Sequence, residues 1–309
     1  MQHQEQRIDQ RLSISSSLSP SPSCHSMPLT ASLLLLLMAM AARPGVAKLL
    51  YDQIEVTWGG DHSFYYMEQP GVDVLALCLE ETNGGSGFAS KDAYLFGRFD
   101  IDIMLVANNS AGTVATFYLL PDEVPWQYHD EIDLEFLGNA TGEPYTLHTN
   151  IFVDGAGGRE QQFRLWFDPT TDFHTYSIEW NPKHIIILVD GTPVRAYKNH
   201  GVPFPTWQRM RLHGTLWNAD EWATQGGRVK TDWTRAPFYA YYRNLRVTPC
   251  VPSPGVAWCG DEPPESAWFE RRLDKAALKE AQEKHMIYDY CVDEKRFKEK
   301  GLPKECTTE

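Results

Sequence analysis

Short runs of apolar and alternating residues follow one another from residue 48 to about residue 249, separated by Gly, Pro and Asn. Val, Ile, Tyr, Phe and Thr dominate these runs, a composition typical of β-strands. One run carries Asp190-Gly191 between two apolar segments, which predicts a β-hairpin. Many short strands and no long helical period predict an all-β fold, an antiparallel sandwich or jelly roll. The runs are VLALCLE, YLFGRFDIDIMLV, GTVATFYLL, EIDLEF, YTLHTNIFV, QQFRLWF, HTYSIEW and HIIILVDGTPVRAY.

The pattern changes after Cys250, where the Pro-rich stretch CVPSPGVAWCGDEPPES begins. The next segment, ESAWFERRLDKAALKEAQEKHMIYDYC, predicts a helix because Leu273, Ala277 and Ala281 recur on one face. We therefore expect residues 48–249 to form one β domain and residues 250–309 to form a small C-terminal extension. We expect the extension to be a structural appendage that could also lengthen a binding cleft. The alternative is a cap that packs on the β domain and has no part in the chemistry.

The N-terminal residues 1–47 have the features of a leader. Residues 1–26 are polar and rich in Ser and Pro, whereas residues 33–42 form an apolar run that is too short to span a bilayer. Gly45 and Ala47 supply the small residues that precede a cut before Lys48. Residues 27–47 therefore predict a secretory signal peptide, and the protein is expected to be secreted.

Cysteine usage agrees with export, because Cys250, Cys259, Cys291 and Cys306 all lie in the last sixty residues. Four cysteines allow three pairings. We favour Cys250–Cys259 with Cys291–Cys306, since these bonds close two short loops. Cys78 lies in a predicted strand and is expected to be a free buried thiol. The chain has no CxxC pair, so a cysteine metal site is not expected.

Charge and composition limit the classes of ligand. The net charge of −13 argues against nucleic acid and anionic membranes as partners. Ten Trp and fourteen Tyr residues suit flat, amphipathic ligands such as sugars, although most of these rings are expected to fill a core.

The stretch HDEIDLEFLG, residues 129–138, concentrates carboxyl groups on one predicted strand. Alternation places Glu131, Asp133 and Glu135 on one face, and the apolar residues between and after them on the other. At roughly 3.3 Å per residue, the two Glu Cα atoms lie about 13 Å apart, and inward-leaning side chains bring their carboxyls to about 5–6 Å. A retaining glycosidase holds its two carboxyl groups at about 5–5.5 Å. Asp133 could then share a proton with the nucleophilic Glu, while the other Glu stays protonated as the acid.

Two other interpretations of this strand remain open from the residues alone. One is a solvated acidic face, although like charges along one face destabilise a sheet. The other is a divalent-metal site made by His129, Asp130 and the glutamates. The stretch does not match an EF-hand loop, because Gly is missing at the sixth position.

The stretch HDEIDLEFLGN resembles the ExDxE signature of glycoside hydrolase family 16, and its surroundings resemble the plant xyloglucan endotransglucosylase/hydrolases. The resemblance extends from about residue 52 to residue 306 and includes the four C-terminal cysteines. The blocks that carry it are SGFASKDAYLFGRF, NSAGTV, REQQFRLWFDPTTDFHTYSIEW, GVPFP, LWNADEWATQGG, KTDWTRAPFYAYYRN and HMIYDYCVDEKRF.

The resemblance implies a curved, concanavalin-like β-jelly roll with an open cleft across its concave face. It implies that Glu131 is the nucleophile, Asp133 the helper and Glu135 the general acid/base. The enzyme would cleave the β-1,4-glucan backbone of xyloglucan and pass the chain to a xyloglucan polymer or oligosaccharide, or to water. It would need no metal or organic cofactor and would act as a secreted monomer in the cell wall and apoplast.

The resemblance also suggests residues that bind substrate and carry glycans. Trp217 and Trp222 lie in the block that usually lines the cleft, and Asn150 is at a position that usually contacts substrate. His148 and Gln162 stand where many relatives have Gln and Arg, so they are candidate specificity residues. Asn139 begins the sequon Asn-Ala-Thr at a place where the family often carries a glycan, and a second sequon begins at Asn108.

Transfer to a second sugar chain is the favoured activity, because no loop insertion of the kind associated with hydrolytic members follows Trp222. The alternatives are an endohydrolase of xyloglucan or mixed-linkage β-glucan, and a jelly-roll lectin without turnover. The lectin predicts the loss of a carboxylate from the triplet, and all three are present.

Overall fold

The computed structural model describes residues 48–250 and 273–307. In these ranges the helices are α1 (Leu50–Gln53), α2 (Lys275–His285) and α3 (Glu294–Phe297). Short 3-10 turns lie at Gly60–His62, Trp126–Tyr128, Gln225–Gly227, Trp233–Arg235, Tyr290–Val292 and Lys304–Cys306. The strands are β1 (Ile54–Trp58), β2 (Ser63–Gln69), β3 (Val72–Leu79), β4 (Gly85–Tyr94), β5 (Gly97–Met104), β6 (Thr113–Leu120), β7 (Glu131–Leu137), β8 (Thr146–Phe152), β9 (Gln161–Arg164), β10 (His174–Trp180), β11 (His184–Val189), β12 (Thr192–Lys198), β13 (Met210–Asn218), β14 (Phe238–Pro249) and β15 (Met286–Asp289).

The strands form two sheets in which neighbouring strands are antiparallel. One sheet has the order β1-β4-β13-β6-β7-β8-β9-β15, and the other has the order β12-β11-β10-β5-β14-β3-β2. Strands that follow one another in the chain often lie in different sheets, as β4 and β5 do. This arrangement confirms the predicted all-β jelly-roll sandwich.

The core lies between the two sheets and is built by the alternation of apolar side chains. On β7, Ile132, Leu134 and Phe136 are fully buried in it. The ring of Phe136 meets that of Tyr176, on β10 of the other sheet, edge to face at 4.6 Å between centroids. The acidic residues of β7 therefore lie on the face of the first sheet that points away from the core.

The predicted hairpin is present as β11 and β12, which pair from Val189 opposite Thr192. The two turn residues between them, Asp190 and Gly191, have φ angles of 48° and 77°. Positive φ at both positions is the geometry of the tight turn that favours Asp-Gly.

The run YLFGRFDIDIMLV, which the apolar pattern presents as one segment, is divided between two strands of different sheets. β4 ends at Tyr94, and β5 begins at Gly97. Phe96, between them, has a φ of 67° and is buried against Trp180, with 4.9 Å between ring centroids. Burial of this aromatic ring offsets the unfavourable positive φ of Phe96. The apolar run in the sequence therefore continues across the turn between β4 and β5.

The C-terminal helix is shorter than the sequence predicts. α2 begins after Asp274, whose side chain accepts hydrogen bonds from the backbone N–H groups of Ala276 and Ala277. It ends at His285, and Met286–Asp289 instead forms β15, an edge strand paired with β9. The prediction of a helix as far as Cys291 is therefore wrong, because pairing with an open sheet edge satisfies the backbone of the Met-Ile-Tyr segment.

The predicted bond between Cys291 and Cys306 is confirmed, with 5.3 Å between the Cα atoms. Cys250 is also disulfide-bonded, but Cys259, its predicted partner, lies outside the described residues. The prediction that Cys78 is a free thiol is wrong, since Cys78 is disulfide-bonded as well. Its partner does not belong to the described residues. Burial in a strand is compatible with either state, so the strand pattern could not decide between them.

The predicted leader, residues 1–47, lies outside the described residues. Among the helices of residues 48–250 and 273–307, none has the length and apolar character needed to cross a membrane.

Candidate active site

The three carboxyl groups of β7 share one face of the strand, as alternation predicts. Glu131 and Asp133 are 0 % and 3 % exposed, and the side chain of Glu135 is 12 % exposed. β7 pairs with β6 on one side and β8 on the other, and neither ladder contains a register shift. With no bulge between the two glutamates, the regular rise of a strand gives about 13 Å between their Cα atoms.

Each carboxyl group has named neighbours across the sheet. On β8, Phe152 lies opposite Glu131, Asn150 opposite Asp133 and His148 opposite Glu135. On β6, Tyr118 lies opposite Asp133 and Thr116 opposite Glu135. The sheet thus surrounds the acidic row with aromatic, imidazole, amide and hydroxyl groups that can orient it or bind a polar ligand. The residues brought together on this face are Glu131, Asp133, Glu135, His148, Asn150, Tyr118, Thr116 and Phe152.

Glu131 contacts a histidine at the start of its own strand. Nε2 of His129 lies 3.0 Å from Oε2 of Glu131, and both side chains are buried. The other carboxyl oxygen of Glu131, Oε1, has no hydrogen-bond partner among the described residues, and neither has Oδ1 of Asp133. Oε2 of Glu131 is therefore held by His129, whereas Oε1 is available to bind or attack a ligand.

The pKa values of both neighbouring carboxyls are raised. Burial raises the pKa of Glu131 to about 8, although a hydrogen bond with Asp133 counteracts part of this rise. Burial and the charge of Glu131 raise the pKa of Asp133 well above its usual value, and the same hydrogen bond raises it further. Those opposite effects of one hydrogen bond are expected if Asp133 holds the proton and donates it to Glu131. Two buried carboxyls so close together are expected to titrate as one coupled unit.

Glu135 has a different environment. Burial and the charge of Asp133 raise its pKa, whereas His148 lowers it. Nε2 of His148 lies 3.7 Å from Oε2 of Glu135, and Nδ1 of the same ring is 2.9 Å from Nε2 of Gln162. A raised pKa suits a carboxyl group that has to donate a proton near neutral pH.

The three predicted substrate residues on β8 and β9 lie beside the acidic row. Gln162 lies opposite His148 in the β8–β9 ladder and reaches Glu135 only through that ring. Asn150 uses its Oδ1 to accept from the backbone N–H groups of Arg159 and Ile151, each at 2.9 Å. Its carboxamide oxygen is therefore committed to holding the chain, and only its Nδ2 could contact a ligand.

The predicted tryptophan pair lies at the Glu135 end of the row. The rings of Trp217 and Trp222 are 6.3 Å apart between centroids, and both are partly exposed. Trp222 also meets His148 edge to face at 6.4 Å. Partly exposed indoles next to a row of carboxyls and amides can stack on the apolar face of a sugar ring.

Sequence reasoning missed several residues of this face. His129 was considered only as a metal ligand, although its position two residues before Glu131 already implies the same side of the chain. Tyr118 is buried, and its pKa is raised well above the usual value by burial and by the three carboxyls. Its ring stacks on that of His213 with 5.0 Å between centroids, and burial lowers the pKa of His213 to about 4. The order of β13, β6 and β7 in the sheet brings these rings together, and no local motif encodes it.

The metal interpretation of the acidic strand finds no support. Within residues 48–250 and 273–307, no group of three or more His, Cys, Asp and Glu side chains could hold a metal ion.

The two sequons differ in exposure. Asn108 is exposed and has a φ of 64°, whereas Asn139 is 8 % exposed and its Nδ2 donates to the carbonyl of Pro144 at 3.1 Å. A glycosylated Asn keeps one hydrogen on Nδ2, so the bond to Pro144 is compatible with a glycan.

Comparison with known proteins agrees with this geometry. The profile of glycosyl hydrolases family 16 matches residues 50–235, and that of the xyloglucan endo-transglycosylase (XET) C-terminus matches residues 263–306. Xyloglucan endotransglucosylase protein 7 of Diospyros kaki is 53 % identical over 266 residues, covering 83 % of this chain and 96 % of the relative. Probable xyloglucan endotransglucosylase/hydrolase protein 23 of Arabidopsis thaliana is 51 % identical over 262 residues, covering 82 % and 89 %.

A solved structure supports the fold. The crystal structure of a prokaryotic β-1,3-1,4-glucanase (lichenase) from a mouse hindgut metagenome superposes with a TM-score of 0.50 at 23 % identity, covering 66 % of this chain and 97 % of that one. With two matching profiles and relatives of about 50 % identity along most of its length, the chain belongs to glycoside hydrolase family 16 and, within it, to the xyloglucan endotransglucosylase/hydrolases.

Proposed function

We propose that this chain is a secreted cell-wall enzyme that cleaves the β-1,4-glucan backbone of xyloglucan with retention and transfers the chain to a xyloglucan acceptor. The observation that carries the proposal is the unbroken row of Glu131, Asp133 and Glu135 on one face of β7. The identity to relatives named xyloglucan endotransglucosylases supports the choice of substrate.

In the first step, Glu131 attacks the anomeric carbon of the donor while Glu135 gives its proton to the departing glycosidic oxygen. The bond between the anomeric carbon and that oxygen breaks, and an ester forms between the sugar and Glu131. The shared proton of Asp133 stabilises Glu131 as a carboxylate before attack and orients it. Glu135 can supply a proton because burial raises its pKa.

In the second step, a hydroxyl group of the acceptor sugar replaces water. Glu135, now ionised, takes the hydroxyl proton as the oxygen attacks the anomeric carbon, and Glu131 leaves as a carboxylate. Trp217 and Trp222 stack on sugar rings, and His148, Asn150 and Gln162 contact the sugar chain beside Asp133 and Glu135. An acceptor held by such contacts reaches the ester before water does, which favours transfer over hydrolysis.

The proposal includes the organisation of the chain. Residues 48–249 form the catalytic domain, and residues 250–309 extend its sheet through β15, which pairs with β9 next to Gln162. Residues 27–47 direct secretion to the wall and apoplast, Asn139 carries a glycan, and the enzyme works as a monomer on xyloglucan.

Incubation of the secreted protein with xyloglucan polymer and fluorescent xyloglucan oligosaccharides tests this function. Label that enters the polymer demonstrates transfer. A rise in reducing ends without label in the polymer would instead demonstrate a hydrolase. Binding to xyloglucan with neither product would indicate a lectin and would overturn the proposal. The Glu131→Gln protein serves as the control, because it keeps the shape of the site without the nucleophile.

A further inference from the structure

His129 is enclosed by neighbours that fix the plane of its ring. It is 2 % exposed and stacks on Trp126 with 4.0 Å between centroids and 20° between the planes. The ring of Phe152 lies on it at 5.2 Å. The backbone is held too, since the carbonyl of His129 accepts from the N–H of Gly155 at 2.8 Å. The imidazole therefore presents its two nitrogens to two fixed partners.

Those partners determine where hydrogens can be placed. Nδ1 contacts the carbonyl oxygen of Trp126, which can only accept, so Nδ1 carries a hydrogen. Nε2 faces Oε2 of Glu131 at 3.0 Å. With Nδ1 already protonated, a hydrogen on Nε2 makes the ring a cation, whereas a neutral ring requires the hydrogen on Glu131. One proton therefore lies between His129 and Glu131.

The groups that surround the ring are acidic or aromatic. The ionisable groups that His129 faces are Glu131 and Asp133 on β7 and Asp130 before the strand, and all of them are acidic. The rings packed on its two sides, Trp126 and Phe152, do not titrate. An imidazolium beside the Glu131 carboxylate is stabilised by its opposite charge, and it stabilises that ionised form in return.

We propose that His129 is a positioning residue that holds on its ring a second proton, separate from that of Asp133, and thereby keeps Glu131 ionised for attack. This inference rests on the proposed role of Glu131 as the nucleophile. Because Nε2–H binds Oε2, the unpartnered Oε1 is the atom that forms the bond to the anomeric carbon. Oε2 then becomes the carbonyl oxygen of the ester and still accepts from His129. When Glu131 leaves as a carboxylate in the second step, the same N–H of His129 stabilises the negative charge that forms again on Glu131.

The test uses two variants and a donor that separates Glu131 from Glu135. His129→Phe keeps an aromatic ring in the stack without a donor, and His129→Gln keeps a donor without an ionisable ring. An aryl glycoside of a xyloglucan oligosaccharide with a highly acidic phenol as leaving group needs no proton from Glu135, so its release reports the attack of Glu131.

We expect the acid limb of the pH profile to move to higher pH by about one unit or more in His129→Phe, and by less in His129→Gln. A shift of one unit lowers the ionised fraction of Glu131, and so kcat below the limb, about tenfold. KM is expected to change little. An unchanged acid limb in both folded variants would overturn the proposal, as would a rise in KM alone.

A second measurement does not depend on replacing His129. In the ¹⁵N NMR spectrum of the histidine-labelled wild type, we expect both ring nitrogens of His129 to be protonated at pH 5–6. In the Glu131→Gln protein, we expect the ring to deprotonate at a lower pH than in the wild type. A neutral ring at that pH in the wild type would contradict the inference. If the wild type shows no turnover on any β-glucan, the proposed function fails, and this spectrum still decides whether the proton is shared.

Discussion

His148 lies directly opposite Glu135 in the β7–β8 ladder, with its Nε2 3.7 Å from Oε2 of the carboxyl group. Gln162 contacts the other nitrogen of the same ring, so three side chains from three adjacent strands form one line. The charge of the ring favours the ionised form of Glu135 and lowers its pKa. His148 thus lowers the pKa of the proposed acid/base and is also a candidate sugar ligand.

Replacing His148 by Gln removes the ionisable ring and keeps a neutral amide. The pKa of Glu135 is then expected to rise, because the group that lowers it is gone. Glu135 has to be protonated in the first step, so the alkaline limb of kcat/KM on xyloglucan moves to higher pH. A pH profile of the folded variant measures this shift, and a limb that moves to lower pH would refute the assignment. Gln162→Ala, which leaves the ring in place, is the matched control.

Glu131→Gln is expected to lower turnover by roughly 10⁴-fold, since it removes the proposed nucleophile from a unit of interacting residues. The same change should alter the pH dependence of stability. Burial raises the pKa of Glu131 from 4.5 to about 8 in the folded state. Between these values, the unit that Glu131 forms with its buried neighbours His129 and Asp133 keeps a proton that the unfolded chain releases. Wild-type stability at this site therefore falls as pH rises from about 4.5 to 8, and Gln removes that fall.

Thermal unfolding measures the effect as the difference in Tm between the Glu131→Gln protein and the wild type. The Tm of the variant minus the Tm of the wild type should increase from pH 5 to pH 8. A constant difference across that range would show that Glu131 is not buried as a group with a raised pKa.

Glu135→Ala separates the two steps of the reaction. Loss of the general acid is expected to reduce cleavage of xyloglucan by about 10²–10⁴-fold. Donors with a highly acidic leaving group need no protonation, so their first step should be nearly unaffected. Stopped-flow release of the leaving group, compared with steady-state turnover, checks this. Equal losses on both donors would mean that Glu135 is not the acid.

The bond between Cys291 and Cys306 closes a loop with a sequence separation of 15. Removing it through the double change to Ser is expected to lower the free energy of unfolding by about 3 kcal/mol, because the unfolded chain regains freedom. β15 lies just before Cys291 and borders Gln162, so KM for xyloglucan should rise as well. Urea unfolding and kinetics test both effects. Unchanged stability in the double variant would show that the extension is held by its packing alone.

Local alternation was sufficient to predict much of the fold. On β7, strict alternation placed Ile132, Leu134 and Phe136 in the core and the carboxyls on the other face, as the structure confirms. Asp190-Gly191 likewise identified its own turn, because both residues tolerate positive φ.

The remaining features depend on contacts between distant segments. The turn of the chain at Phe96 cannot be predicted from the apolar pattern, because the ring that makes this position apolar is buried against Trp180 on another strand. The edge strand β15 forms only because β9 offers a free edge, and the same residues alone suit a helix. The pairing of Tyr118 with Asp133 and of His148 with Glu135 follows from strand order, which alternation within one strand cannot give.

The central claim is that Glu131 forms a covalent bond with the donor sugar. It is tested most directly by incubating the enzyme with xyloglucan in the absence of added acceptor, quenching in acid within milliseconds to seconds, and mapping the peptides by mass spectrometry. The account predicts a glycosyl ester on Glu131, which disappears when xyloglucan oligosaccharides are added before the quench. An ester on Glu135, or turnover with inversion at the anomeric carbon and no ester, would contradict it.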